Sequence, residues 1–146
     1  MAKVIFYEKT GCKNNTKQKQ VLTLSGHEVE AIDIIQHQWK RDDLRSFFKG
    51  LEPKNWFNLN APAVSEGKIV PEDFDENMAL EALLSEHILI KRPLMIIGDK
   101  KFVGFDVDIL NKEIGININA HPSVPVMLDD ISKGCPSKSI PGSVCS

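Results

Sequence analysis

Val4-Ile5-Phe6-Tyr7-Glu8-Lys9-Thr10-Gly11-Cys12-Lys13-Asn14-Asn15 is a short apolar run that breaks at a glycine, meets a cysteine and passes into residues able to wind as a helix. Lys3 to Tyr7 reads as a strand apolar enough to lie inside a sheet. A thiol where strand turns into helix faces unpaired backbone N–H groups and the positive end of the helix dipole, a setting that favours thiolate over thiol. Cys12 is therefore a candidate nucleophile. The competing reading is a small buried hydrophobe. The polar flanks Gly11 and Lys13 argue against burial.

Working outward, Asn14 or Asn15 is placed to cap a helix that carries Val21, Leu22 and Leu24 and stops at Gly26. Glu28 to Ile35 reads as a second strand, so the opening forms a βαβ unit with parallel strands. Asp42 to Lys49 predicts a short amphipathic helix with Leu44, Phe47 and Phe48 on one face. Residues 51 to 74, with Pro53, Pro62, Gly67 and Pro71, predict an irregular connection anchored by Trp56 and Phe57. A helix follows over Asp75 to Glu86. Leu94 to Ile97, the turn Gly98-Asp99 and Lys101 to Phe105 predict a hairpin, because glycine at the first turn position suits a type II′ turn. Asp106 can cap a closing helix that buries Val107, Leu110 and Ile114. The expected class is α/β, a thioredoxin-like fold with a central mixed sheet of about four strands flanked by helices.

The chain's 146 residues suit one domain, expected over 1–116. Residues 117–146 read as an irregular, Pro/Ser-rich tail, and from His121 onward no stable helix or strand is expected. A net charge of −2 with scattered basic residues argues against nucleic-acid binding. The charged N-terminus resembles no signal peptide, and no segment is apolar enough for a membrane span, so the cytoplasm is the expected location. Cys12, Cys135 and Cys145 are an odd count without the spacing of a disulfide framework or a metal cluster, and no metal site is expected. His27, His37, His87 and His121 share no ligand spacing either.

Leu83-Leu84-Ser85-Glu86-His87-Ile88-Leu89-Ile90-Lys91-Arg92-Pro93-Leu94 resembles the arginine-proline stretch of the glutaredoxin-coupled arsenate reductase family, and the resemblance spans roughly residues 3 to 115. It implies that Cys12 is the nucleophile, that Arg92 binds an oxyanion, and that Pro93 is a cis residue facing the thiol. Lys13, Asn14, Asn15 and nearby amides would then complete an anion cradle. Where the family carries histidine, serine and arginine around its cysteine, this chain has Glu8, Asn15 and Thr16. Lys101-Phe102-Val103-Gly104-Phe105 lacks a further family arginine, and the middle segment offers Lys54 but no arginine. Each lost charge-assisted hydrogen bond is worth about 1.5–3 kcal/mol, which predicts inefficient arsenate reduction. Trp56-Phe57-Asn58 with Ala61-Pro62, Gly67 and Pro71-Glu72 is similar to the nitrogenase-associated branch of that family.

These readings converge on a thiol-dependent oxidoreductase in which Cys12 forms a mixed disulfide or an oxyanion adduct. No bound cofactor is expected. Asn15 occupies the position of a second cysteine in a thioredoxin-type dithiol, so turnover needs glutathione, a glutaredoxin-like protein, or Cys135 or Cys145 as a resolving thiol. The alternative is a non-catalytic adaptor or regulator that binds a nitrogenase-related or transcription protein.

Overall fold

The computed structural model describes residues 2–132. Strand β1 (Lys3–Glu8) is followed by helix α1 (Lys13–Leu24) and strand β2 (Glu28–Asp33). Helices α2 (Arg41–Ser46), α3 (Pro62–Ser65) and α4 (Glu76–Ser85) come next, linked by single 3₁₀ turns at Pro53–Trp56 and Pro71–Asp73. Strands β3 (Leu94–Ile97) and β4 (Lys100–Val103) form the hairpin, and helices α5 (Val107–Glu113) and α6 (Ser123–Ser132) complete the described chain.

The sheet order is β2-β1-β3-β4. β1 pairs with β2 in parallel and with β3 antiparallel, which gives the mixed sheet expected. Alternation along β1 divides the core between the two faces of the sheet. Val4 and Phe6 pack with Leu22, Met95 and Leu110 on one side. Tyr7 joins Leu44, Phe48, Trp56, Leu80 and Leu83 on the other. Trp56 and Phe57 are fully buried, so the irregular middle segment is anchored as expected; Trp56 stacks on Phe48 at 4.9 Å and donates its indole N–H to the Leu51 carbonyl. Gly98 sits at φ +62°, and Asp99 needs no positive φ, which is the pattern of a type II′ turn.

Two expectations need correction. Helix α1 begins before the asparagines: Cys12 itself is the N-cap residue, and Asn14 and Asn15 are buried in the first turn. The tail also contains a helix, α6. Its prolines read as breakers, yet Pro125 lies in the first turn, where a missing N–H leaves no intrahelical bond unmade. Val124 and Met127 are buried against Val21, with Leu128 and Ile131 half-buried beside them, so the helix folds back onto α1. Residues 133–146, including Cys135 and Cys145, lie outside the described residues.

Candidate functional site

Between β1 and α1 the chain must turn within four residues, and Gly11 at φ +87° makes the turn. The Cys12 amide donates to the Lys9 carbonyl at 3.0 Å. The Asn15 carboxamide accepts from the Lys9 amide at 3.1 Å and donates to the Gln18 side chain at 2.9 Å, so Asn15 braces the loop from below. Thr10 donates its hydroxyl to Asp33 at 2.9 Å, tying the loop to the end of β2. Burial pushes the Asp33 carboxyl up, but the Thr10 hydroxyl, the Ile35 and Gln36 amides and the Lys9 charge together hold it below the usual carboxylate range. On the other flank Glu8 is buried and accepts from Lys19 at 2.7 Å. Glu8, Lys9, Thr10, Gly11 and Asn15 around Cys12 are thus each fixed by a hydrogen bond or a required φ.

Cys12 is 1% exposed, which overturns the expectation that its polar flanks keep it at the surface. The reason is tertiary. Tyr7 pairs with Leu94, so the next residues along, Glu8 and Pro93, bring the start of β3 alongside the cysteine loop. The Arg92–Pro93 peptide is cis and Arg92 is itself buried. Burial pushes the Arg92 guanidinium down, while negative charge on Cys12 acts in the opposite direction, so the two groups lie within electrostatic range. Lys13 is exposed and Asn14 is buried.

All three guanidinium nitrogens of Arg92 lack a hydrogen-bond partner among the described residues. The Nδ2 of Asn58, also buried, is in the same condition. Both residues line one cavity of ≈ 190 Å³, together with Lys54, Phe57 and Lys91. Every charged side chain lining it is basic. Cys12 is not among its lining residues, and Arg92 is what relates the cavity to the thiol. Asn58 reaches this place because the segment after Trp56 adds a partial strand: Phe57 bridges Ile90, the Asn58 amide donates to Leu89, and the Lys91 amide donates to Trp56. Asn58 and Lys91 stand in the two stretches that carry the family resemblance, but sequence reasoning gave neither a role in the site. Nothing in their spacing, more than thirty residues apart, announces that pairing.

The histidines have local structural partners. His27 bridges the Ala2 amide and the Gly115 carbonyl, and His87 meets the Ile35 carbonyl. Among the described residues, no three His, Cys, Asp or Glu side chains gather as metal ligands would, and no helix is long and apolar enough to cross a membrane.

No family model matches the chain. An uncharacterised 15.7 kDa protein in the draG 3′ region of Rhodospirillum rubrum is 46% identical over 116 residues, covering 80% of this chain and 81% of its own length. Among solved structures, an ArsC family related protein from Bacteroides fragilis superimposes with a TM-score of 0.65 at 23% identity, over 75% of this chain and 95% of its own. A possible arsenate reductase from Streptococcus mutans gives a TM-score of 0.60 at 25% identity, over 76% and 99%. The chain belongs to the arsenate reductase family of thioredoxin-like proteins. Among the structural neighbours the shared feature is the four-stranded mixed sheet with flanking helices. Within this arsenate reductase-like framework Asn58, Lys54 and Lys91 line the same cavity as Arg92, and the cavity is basic without a second arginine.

Proposed function

We propose that the protein is a thiol-dependent oxidoreductase in which Cys12 is the nucleophile and the Arg92 cavity binds the negative part of the substrate. The observation that carries this reading is the buried Arg92 guanidinium, with no hydrogen-bond partner among the described residues, in electrostatic range of Cys12. A buried cation without partners is costly, and an anion that fills the cavity would recover that cost while steadying charge on sulfur. Asn58, Lys54 and Lys91 add donors on the same wall.

The chemistry is thiol–disulfide exchange. The Cys12 thiolate attacks one sulfur of a disulfide, a Cys12 mixed disulfide forms, and the other sulfur leaves as thiolate. A donor thiol, from glutathione or a glutaredoxin-like protein, then attacks the Cys12 sulfur and releases the second substrate sulfur as thiolate; a further donor thiol attacks the donor sulfur of the new Cys12 mixed disulfide, which forms the donor disulfide and restores the Cys12 thiolate. The substrate disulfide gains two electrons and the donor thiols lose them. With an oxyanion substrate the first step is addition of the thiolate to the central atom with loss of water or hydroxide. The cavity carries lysines and an asparagine where a multiply charged oxyanion is best met by several guanidinium forks, which favours a singly charged carboxylate or a thiol peptide over arsenate.

The experiment is mass spectrometry after treatment with glutathione disulfide, with Cys12→Ser as control, alongside fluorescence titration with phosphate, sulfate and glutathione. A selective adduct at Cys12 and saturable anion binding are expected. A protein that takes up glutathione only at other thiols, or not at all, refutes the reading. The place of the Rhodospirillum rubrum relative in the draG 3′ region, together with the resemblance of Trp56-Phe57-Asn58 to the nitrogenase-associated branch, supports a second reading: an adaptor for a nitrogenase-related protein. An adaptor keeps its partner when Cys12 is changed to serine, whereas an oxidoreductase loses turnover.

A further inference from the structure

Strand β4 is an outer strand of the sheet, and among the described residues it pairs with β3 alone. The Gly104 amide donates to the Pro93 carbonyl at 2.8 Å, and the register carries that ladder on through Phe102 opposite Met95 and Lys100 opposite Ile97. Backbone groups alternate in direction along a strand, so the N–H and C=O of Lys101 and Val103 point off the edge of the sheet. Among the described residues, no backbone hydrogen bond joins Lys101 or Val103 to a residue outside the sheet. Donor and acceptor groups thus stand in a row, as an incoming strand requires.

A groove of ≈ 200 Å³ follows this edge along Lys101, Phe102, Val103 and Gly104. Its walls come from both faces of the sheet. One wall holds Phe47, Lys49 and Leu51, next to Val103, which packs on the core around Tyr7 and Trp56. The other holds Ile109 and Leu110 of α5, next to Phe102, which packs on the core around Val4 and Phe6. Side chains of a strand laid in the groove therefore alternate between the two walls. The walls differ in charge. The first carries Lys49 and Lys101, neither of them ion-paired among the described residues, with Lys101 held over the Phe47 ring at 5.3 Å. The second is apolar, with Ile109 48% exposed, and its carboxylate, Asp106, accepts from the Ile109 amide at 3.1 Å.

We propose that the β4 edge docks an extended segment of another protein, one of alternating acidic and apolar side chains, as a fifth strand of the sheet. Its acidic residues meet Lys49 and Lys101, its apolar residues meet Phe102 and Ile109, and its backbone pairs with Lys101 and Val103. A second copy of this chain fits poorly, because two β4 strands side by side and antiparallel gather Lys49 and Lys101 of both copies on one face. Gly104, at the end of the groove, is one hydrogen bond from Pro93, so the docked segment lies at the border of the thiol site. Docking uses neither Cys12 nor the Arg92 cavity, and it stands whichever chemistry the thiol performs.

The test is fluorescence-anisotropy titration of the full chain with a dye-labelled hexapeptide of alternating valine and glutamate, alongside amide hydrogen exchange. Saturable binding is expected, with slowed exchange at the Lys101 and Val103 amides; those of Phe102 and Gly104 are protected before peptide is added. A hexapeptide with its three glutamates in one block, and one N-methylated at the amides that face β4, should each bind about tenfold more weakly. The same loss is expected for Lys49→Glu, which reverses an exposed charge, and for Ile109→Asp, which sets a carboxylate on the apolar wall, with circular dichroism checking the fold. Equal affinity for the block or N-methylated peptide, unchanged exchange at Lys101 and Val103, or no binding at all overturns the proposal. Binding lost in Arg92→Met but kept in Lys49→Glu assigns the peptide to the Arg92 cavity and overturns the groove. Dimerisation that protects the same two amides gives the edge to a second copy and overturns the acidic partner.

Discussion

Replacing Arg92 with methionine separates stability from binding at one position. The two side chains are similar in length, but methionine brings no charge and no donors into the buried site. In the anion-free protein the wild-type guanidinium holds three nitrogens without partners among the described residues. A buried unsatisfied donor costs about 1–3 kcal/mol, and attraction to negative charge on Cys12 offsets part of the total. Apolar replacement of a buried charged group is often neutral to stabilising by about 1–4 kcal/mol, so a net gain of about 1–3 kcal/mol is expected for Arg92→Met in anion-free buffer. The gap should close with ligand, and reverse where the anion-free gain is below about 2.7 kcal/mol. At an anion concentration a hundred times its Kd, wild type gains about 2.7 kcal/mol by linkage, and the variant gains nothing. Urea unfolding followed by the fluorescence of Trp39 and Trp56, with and without phosphate, reads both quantities, provided the slope with urea stays constant. An Arg92→Met protein less stable than wild type by more than about 1 kcal/mol without anion would refute the reasoning, because the guanidinium would then be supporting the fold.

Asn58→Ala removes one neutral donor from the cavity and should weaken anion binding about three- to tenfold, measured by titration, with turnover falling in parallel. Trp56→Ala deletes a fully buried ring stacked on Phe48 and strands the Leu51 carbonyl; a loss of about 3–5 kcal/mol is expected in urea unfolding. Asp33 has a folded-state pKa below its unfolded value, so its contribution is present above about pH 3.9 and is lost as pH falls through the lower folded value. Asp33→Asn should flatten that acid limb, and identical pH profiles for variant and wild type would show that the Thr10 and backbone hydrogen bonds to Asp33 carry no such linkage.

Local signals were strong where one short segment contains the whole instruction. The βαβ opening, the Gly98-Asp99 turn and the Asp106 cap each depend on a few adjacent residues, and each formed as the pattern predicts. Helix α6 was missed because proline and serine content was weighed above the recurrence of Val124, Met127, Leu128 and Ile131. First-turn prolines are harmless to a helix, so composition misled where periodicity did not.

The order of the residues alone determined the fold class, the place of Cys12 at the strand-to-helix junction, and the Arg92-Pro93 pair that leads into β3. Those depend on backbone preferences and on alternation, which operate over a few residues. Tertiary structure decided the burial of Cys12, the approach of Arg92 to it, and the arrival of Asn58 and Lys91 on one cavity wall. Those outcomes depend on strand register and on a bridge between segments far apart in the chain, set only when the two sides of the sheet close around their cores.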